Sequence, residues 1–373
     1  MANRVRYGWL RSVLVTIVLV LAGAWLLNRY AQDRPDPRAN VDESTYAVIA
    51  SVGDTLLADA SEPTLQKHGY EYPFVRIRRL YEGADFLMGN LEGPITGHEV
   101  AHWPDKRYAY RQAPEAALAL RREGFDVLAL GNNHTLDFGP RGMVDTLNGL
   151  RDASIGSVGA GKDESAARRG LVVDVRGLRV GLLSYLEPYP EYEGRGWYAD
   201  GDHAGVARLD IEAIRHDIAR VRDRADVVIV HAHFGANYED VTEYQRRIAR
   251  EIIDAGADVV NGHHPHVAQG IDTYRGKPIV YSLGNFTFGT PGRFGKDTPG
   301  YGFVARYRLS IAQRKIDSVA LDLIATNNRI VNFQPRIVGT REARRVWNGL
   351  QVGFNAAAHW EGSTAIIELS PET

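Results

Sequence analysis

The chain predicts an α/β fold, and three observations carry that reading. Short apolar runs recur along it, at residues 46–52, 84–89, 125–130, 226–230 and 278–281, the first of them a β-branched run. Segments of helical composition stand among them, at 114–123, 141–150, 211–224 and 242–255. Each run then breaks into Gly, Asn, Ser or His. A strand buried on both faces is continuously apolar and turns polar where it leaves the sheet. In open α/β sheets the carboxyl ends of such strands carry the ligands.

At 373 residues the chain suits one large α/β domain with appendages, or two modest domains. Its hydrophobic (44%) and charged (24%) fractions are those of an ordinary globular protein, so disorder is not the default. A formal net charge of -2 gives no basic footprint, which sets nucleic acid aside as a partner. Cysteine is absent. Disulfides, zinc ribbons, thiol nucleophiles and iron–sulfur clusters are thereby excluded, and any metal must be held by nitrogen and oxygen.

Residues 12–28 form an uncharged stretch dominated by Val and Leu, preceded by Arg4, Arg6 and Arg11. Tyr7, Trp9, Trp25 and Tyr30 lie near its ends, where aromatic rings prefer the membrane interface. The stretch reads as an uncleaved transmembrane helix at the short limit for a span. A secretory signal cleaved near Ala22-Gly23-Ala24 is the alternative. Either places the body of the protein outside the cytoplasm. The expected organisation is an anchor or signal at 1–30, a polar linker at 31–44, a main domain at 45–300, and C-terminal strands and a helix at 301–373 that complete it.

Taken in order, the first run exits into Gly53-Asp54. Asp54 stands where a metal carboxylate belongs, although an Asp there also serves as a helix N-cap. The second exits into Asn90-Leu91-Glu92, with Gly93 and Pro94 turning Glu92 toward the same edge. Residues 102–111 are aromatic and basic, either a solvated loop or a flap for an anionic ligand. The third run exits into Gly131-Asn132-Asn133-His134, where Asn133 offers a neutral oxygen to a metal and His134 is placed to reach substrate. Asp137 is positioned to orient His134 and raise its basicity.

Residues 171–175 and 178–184 read as a hairpin turning at Arg176-Gly177. Residues 185–203 form a long irregular excursion, either a functional lid or disordered. The fourth run exits into His231-Ala232-His233, two histidines that share one face of a strand. Then come His263, His264 and His266 around Pro265, so that five of the twelve histidines fall between His231 and His266. Imidazole is the commonest ligand for mid-row divalent metals. Beyond residue 302 the pattern suggests further strands at 303–310, 316–325 and 330–335, a helix at 341–359 and a last strand at 365–369, with no catalytic clustering.

The series Gly53-Asp54, Asn90-Leu91-Glu92, Gly131-Asn132-Asn133-His134 with Asp137 and Gly139, His233-Phe234-Gly235, Gly262 to His266 with Gln269, and Tyr281 to Phe286 resembles the CapA family. These are capsule-synthesis proteins associated with poly-γ-glutamate, with a domain similar to calcineurin-like metallophosphoesterases. The resemblance covers about residues 45 to 290. It implies a sandwich of two β-sheets flanked by helices (α/β/β/α), with a centre of two divalent ions (Mn, Fe or Zn) at the strand ends. The metal roles would fall on Asp54, Glu92, Asn133, His233, His264 and His266, and His134 would assist the leaving group.

The implied partners are an anionic polymer or phosphoester substrate and other membrane subunits of a polymer synthase. The implied location is the cell membrane, single-pass, with the main domain extracytoplasmic. Three positions depart from the wider phosphoesterase and CapA patterns. Leu56 stands where a His is usual, Glu92 replaces Asp, and Asn237 with a displaced Glu239 replaces the usual Glu before Tyr238. His231 and His263 fall outside the matched spacing.

Overall fold

The computed structural model describes residues 45–369 apart from residue 296. The segment expected to anchor the chain, and the linker after it, lie outside the described residues. Among the described residues no helix is long and apolar enough to cross a membrane.

Strand β1 (Tyr46–Leu56) is buried almost throughout, as its apolar run requires. Helix α1 (Glu62–His68), β2 (Phe86–Leu91), α2 (Glu115–Arg122), β3 (Val127–Ala129), α3 (Gly139–Asp152) and β4 (Gly156–Val158) follow. The four strands pair in parallel in chain order, each return being made by helical or looped chain. Short β5 (Ala160–Gly161) and α4 (Glu164–Arg168) lead to β6 (Leu171–Val175) and β7 (Leu178–Leu186). Arg176 and Gly177 between these two both have positive φ, 55° and 83°, as a tight two-residue hairpin turn demands.

Next come β8 (Gly205–Val206), α5 (Ile211–Arg222), β9 (Val227–His233), α6 (Glu243–Asp254), β10 (Val259–His263), β11 (Ile271–Tyr274), β12 (Lys277–Val280) and β13 (Asn285–Phe288). The tail contributes β14 (Tyr301–Ser310), β15 (Lys315–Ala325), α7 (Asn328–Val331), β16 (Arg336–Ile337), α8 (Thr340–Leu350), β17 (His359–Glu361) and β18 (Thr364–Glu368).

One sheet runs β17-β18-β15-β14-β1-β2-β3-β4, with β13 also paired to β1 and β16 to β15; a second runs β11-β12-β10-β9-β7-β6. Their facing surfaces share a core of Ile49, Phe86, Val180, Val227, Val280 and Phe303 among others. The outer face of the first sheet packs Val52, Leu87 and Leu128 under α1 to α3 through Leu65, Leu120 and Met143. The outer face of the second packs Val228 and Val260 under α5 and α6 through Ile218 and Ile252. Two mixed sheets with flanking helices are the architecture.

The first sheet is mixed, because β14 returns antiparallel along β1. Two expectations are corrected. Residues 330–335 do not form a strand. Asn327 caps a single helical turn by accepting from the Arg329 amide, and Asn332 and Phe333 then adopt left-handed φ of 50° and 57°. The last helix ends at Leu350 and not at residue 359; Gly353 follows with φ of 81°, and His359–Glu361 pairs with the final strand.

Candidate metal centre

The strand order brings the exits of both sheets to one place. Asp54 lies near the end of β1, Glu92 just past β2, and residues 132–137 past β3; His233 and His263 end β9 and β10. Close backbone approach fixes the first of these. A Cβ on Gly53 would stand 1.8 Å from the Gly284 carbonyl oxygen, so only glycine lets that oxygen accept from the Asp54 amide at 2.9 Å. His264 and His266 take positive φ of 96° and 59°, a backbone uncommon outside glycine and met more often in Asn, Asp and His than in other residues. Such strain, held by a surrounding core, accumulates at functional sites.

Asp54, Glu92, Asn133, His233, His264 and His266 come together, all buried. Two groups place their ligand atoms within 4.8 Å of one another: Glu92 with His233 and His264, and Asp54 with Glu92 and His266. Glu92 belongs to both. Asn133 Oδ1 lies 2.8 Å from His233 Nε2, and His264 Nδ1 lies 3.1 Å from that same nitrogen. One ring N–H cannot satisfy two acceptors at once, so lone pairs face each other here without protons enough to pair them.

Glu92 makes the same point. Its Oε1 has no hydrogen-bond partner, although His266, His233 and His134 nitrogens stand 3.6, 3.9 and 3.8 Å away. An orphaned, fully buried carboxylate oxygen costs about 1–3 kcal/mol or more. A cation at that point would turn the cost into binding, so the residues fit a divalent metal. All donors are nitrogen or oxygen, as manganese, iron or zinc accept.

The electrostatics follow from the same crowding of buried donors. Burial, and next the neighbouring Asp54 charge, push the Glu92 carboxyl well up from the usual range. Burial opposes ionisation of Asp54 too, but hydrogen bonds from His263 and His266 outweigh it and hold its carboxyl low. Burial pulls His264 down to about 3, helped by His266. His233 is depressed for the same reason, with His264 adding to it. Neutral imidazole is the form that coordinates a metal.

His134 stands beside this cluster with Nδ1 2.7 Å from Asp137 Oδ2. The carboxylate accepts from Nδ1–H, which leaves Nε2 facing Glu92. Burial, then the Lys106 cation, lower His134 to about 4, with Asp137 opposing. The sequence places Lys106 in the basic, aromatic stretch at 102–111 but assigns it no role, because that loop has no periodicity. Its ammonium donates to Asp137 and, at 2.5 Å, to the Asn133 carbonyl oxygen, and it lies over the Trp197 ring at 4.7 Å. Tyr110, from the same loop, donates its backbone N–H to Asp137 Oδ2 at 2.7 Å.

The two histidines outside the matched spacing form a layer behind Asp54. His263 Nδ1 is 3.1 Å from Asp54 Oδ1, and its Nε2 is 2.9 Å from His231 Nδ1. Carboxylate–histidine contacts of this kind orient a donor. Asn90 and Asn132, quoted in the motif series but given no role there, join this layer. Asn90 donates to Asp54 Oδ1 at 2.9 Å, and Asn132 donates to Asn90 Oδ1 at 3.0 Å.

Over the donors opens a cleft of about 540 Å³. Lys106, Arg107, Tyr108, Tyr189, Tyr192 and Arg293 are among its lining residues, so the 102–111 loop and the 185–203 excursion both form walls. Arg107 lies 5.2 Å over Tyr108, and Arg293 lies 5.7 Å over Tyr238. Neither guanidinium has an ion-pair partner among the described residues.

The profile of the family described as "Bacterial capsule synthesis protein PGA_cap" matches residues 48–290. The chain belongs to that family. Capsule-synthesis relatives support the assignment. The PGA biosynthesis protein CapA of Bacillus subtilis is 31% identical over 278 residues, covering 74% of this chain and 71% of that protein. The capsule biosynthesis protein CapA of Bacillus anthracis is 27% identical over 364 residues, 95% of this chain and 85% of that one. Among solved structures, a calcineurin-like phosphoesterase from Bacillus subtilis covers 82% of this chain and 99% of its own at 15% identity, with a TM-score of 0.44. That likeness is too distant to bear on activity. As the motif series implies, the chain is a member of the CapA-like capsule-synthesis family.

Proposed function

We propose that this capsule-synthesis family member is a metal-dependent hydrolase that serves poly-γ-glutamate production at the outer side of the membrane. The observation that carries this reading is Glu92, whose unpartnered buried oxygen is common to both donor groups. Asp54, Glu92 and His266 would hold one divalent ion, and Glu92, Asn133, His233 and His264 the other. When bound, two such ions supply Lewis acidity and lower the pKa of water.

This chain's own residues do the rest. Asp137 accepts from His134 Nδ1–H, so it is from the imidazolium form that Nε2 hands its proton to the leaving oxygen, the ring returning to neutral with Nδ1 still protonated. Lys106 holds Asp137 in place and presents its positive charge to the cleft. Arg107 and Arg293, with no carboxylate beside them, favour an anionic substrate. Tyr189 and Tyr192 line the same cleft, the Tyr192 ring 5.6 Å from the Lys106 ammonium. The uncharged run at 12–28 after three arginines supports an N-terminal anchor, for which recovery of the full chain in carbonate-washed membranes is the test.

The activity is tested on the full-length chain supplied with Mn(II) or Zn(II), against chromogenic phosphomonoesters and phosphodiesters and against γ-glutamyl polymer. Turnover should appear with at least one class and cease with a chelator, and His134→Ala should lower it by about 10²–10⁴-fold. Polymer binding that survives both chelation and His134→Ala, with no turnover of any substrate, would instead make the protein a non-catalytic assembly module.

A further inference from the structure

We propose that Asn285 is a ligand of the ion held by Asp54, Glu92 and His266, an inference that rests on the two-ion reading above. As the donors stand, the two halves of the centre are unequal. One half has four: Glu92, Asn133, His233 and His264. The other has three.

A further oxygen donor stands beside those three. Asp54 and Asn285 are register partners in the parallel pairing of β1 with β13, which sets their side chains next to each other on one face. Asn285 is 2% exposed. Its Oδ1 lies 2.9 Å from His266 Nδ1, and Asp54 Oδ2 lies 3.4 Å from that same nitrogen. Two donors bound at about 2.1 Å to one ion stand about 3.0–3.4 Å apart for angles between 90° and tetrahedral. The other half repeats the arrangement, with Asn133 Oδ1 2.8 Å from His233 Nε2. In each half a neutral amide oxygen faces a buried imidazole nitrogen across the space an ion would occupy.

A hydrogen bond from the His266 ring to Asn285 would have the same length, and two variants separate it from ligation. Metal-stripped full-length protein is titrated with Co(II), reading equivalents bound and the visible absorption of the ion. The wild type should take two equivalents and Asn285→Ala one. Asn285→Asp should take two, with the absorption band displaced because a carboxylate has replaced an amide in the ligand set. Asn285→Ala that still takes two equivalents with unchanged affinity overturns the assignment and leaves the two-ion reading intact. An unmoved band in Asn285→Asp also overturns it, since Asn285 then only accepts a hydrogen bond from His266. Fewer than two equivalents in the wild type would refute the two-ion reading itself, and the assignment with it.

Discussion

Glu92 has 0% exposure, and its Oε1 finds no hydrogen bond. In the metal-free chain it is therefore a source of instability, pushed toward the neutral acid by burial and by Asp54. Glu92→Gln keeps the shape and removes the ionisable group. Thermal unfolding of the stripped protein should shift upward, by the equivalent of about 1–3 kcal/mol, the cost of an unsatisfied buried group. The gain in melting temperature on adding Mn(II) or Zn(II) should shrink at the same time. A stripped variant less stable than the stripped wild type would mean that Glu92 is an ordinary structural residue.

The same scale shows which site residues the sequence made legible. Asp54, Glu92, Asn133, His233, His264 and His266 each follow a run that reads as a strand, and a side chain at such an exit has few places to point. Lys106 has no such address. It reaches Asp137 only because its loop folds back over the cleft, a tertiary event with no local signal. Asn285 and His263 stand in motifs the sequence singles out, but their roles were not legible there, since what matters about them is their separation from Asp54, set by the pairing and packing of strands about two hundred residues apart in the chain.

Among the elements, the two sheets are clasped away from the site by Asp226. Its carboxylate accepts from Arg314, in the turn between β14 and β15 of the first sheet, at 2.7 Å, and from the Arg179 guanidinium, on β7 of the second, at 3.1 Å. Arg314, followed by Arg179 against some opposition from burial, holds the Asp226 carboxyl well below its ordinary range. A depressed carboxyl stabilises the fold fully above its unfolded pKa of about 3.9, and that contribution is lost as pH falls through the lower folded value. Both arginines are half exposed, which limits the contribution to about 1 kcal/mol or less.

Asp226→Asn should therefore be slightly less stable than wild type at pH 7, and the gap should close in acid below about pH 3, as followed by urea unfolding. A gap that stays constant down to pH 2 would mean that the clasp acts through packing and not through charge. Element boundaries were the least legible part of the fold. Residues 330–335 are apolar enough to suggest a strand, yet Asn327 caps a turn there and two left-handed residues follow. Side-chain capping competes with strand pairing and leaves little trace in an apolar pattern.

For the whole molecule, the decisive feature is that two sheets end at the same point. β1, β2, β3 and β13 supply Asp54, Glu92, Asn133 and Asn285, while β9 and β10 lead to His233, His264 and His266. The alternation of buried strands and helices made an α/β class legible. The return of β14 and β15 into the first sheet was visible only as extra strands, because pairing direction leaves no periodic signal. A site assembled from both sheets links their packing to its contents, so an ion bound there stabilises the fold by mass action, by about 2.7 kcal/mol at one hundred times its dissociation constant. The most direct measurement is elemental analysis of the full-length protein after equilibration with a divalent ion and removal of the excess. The account predicts about two equivalents of manganese, iron or zinc per chain, the number set by two donor groups sharing Glu92. About one equivalent, or none, would contradict it.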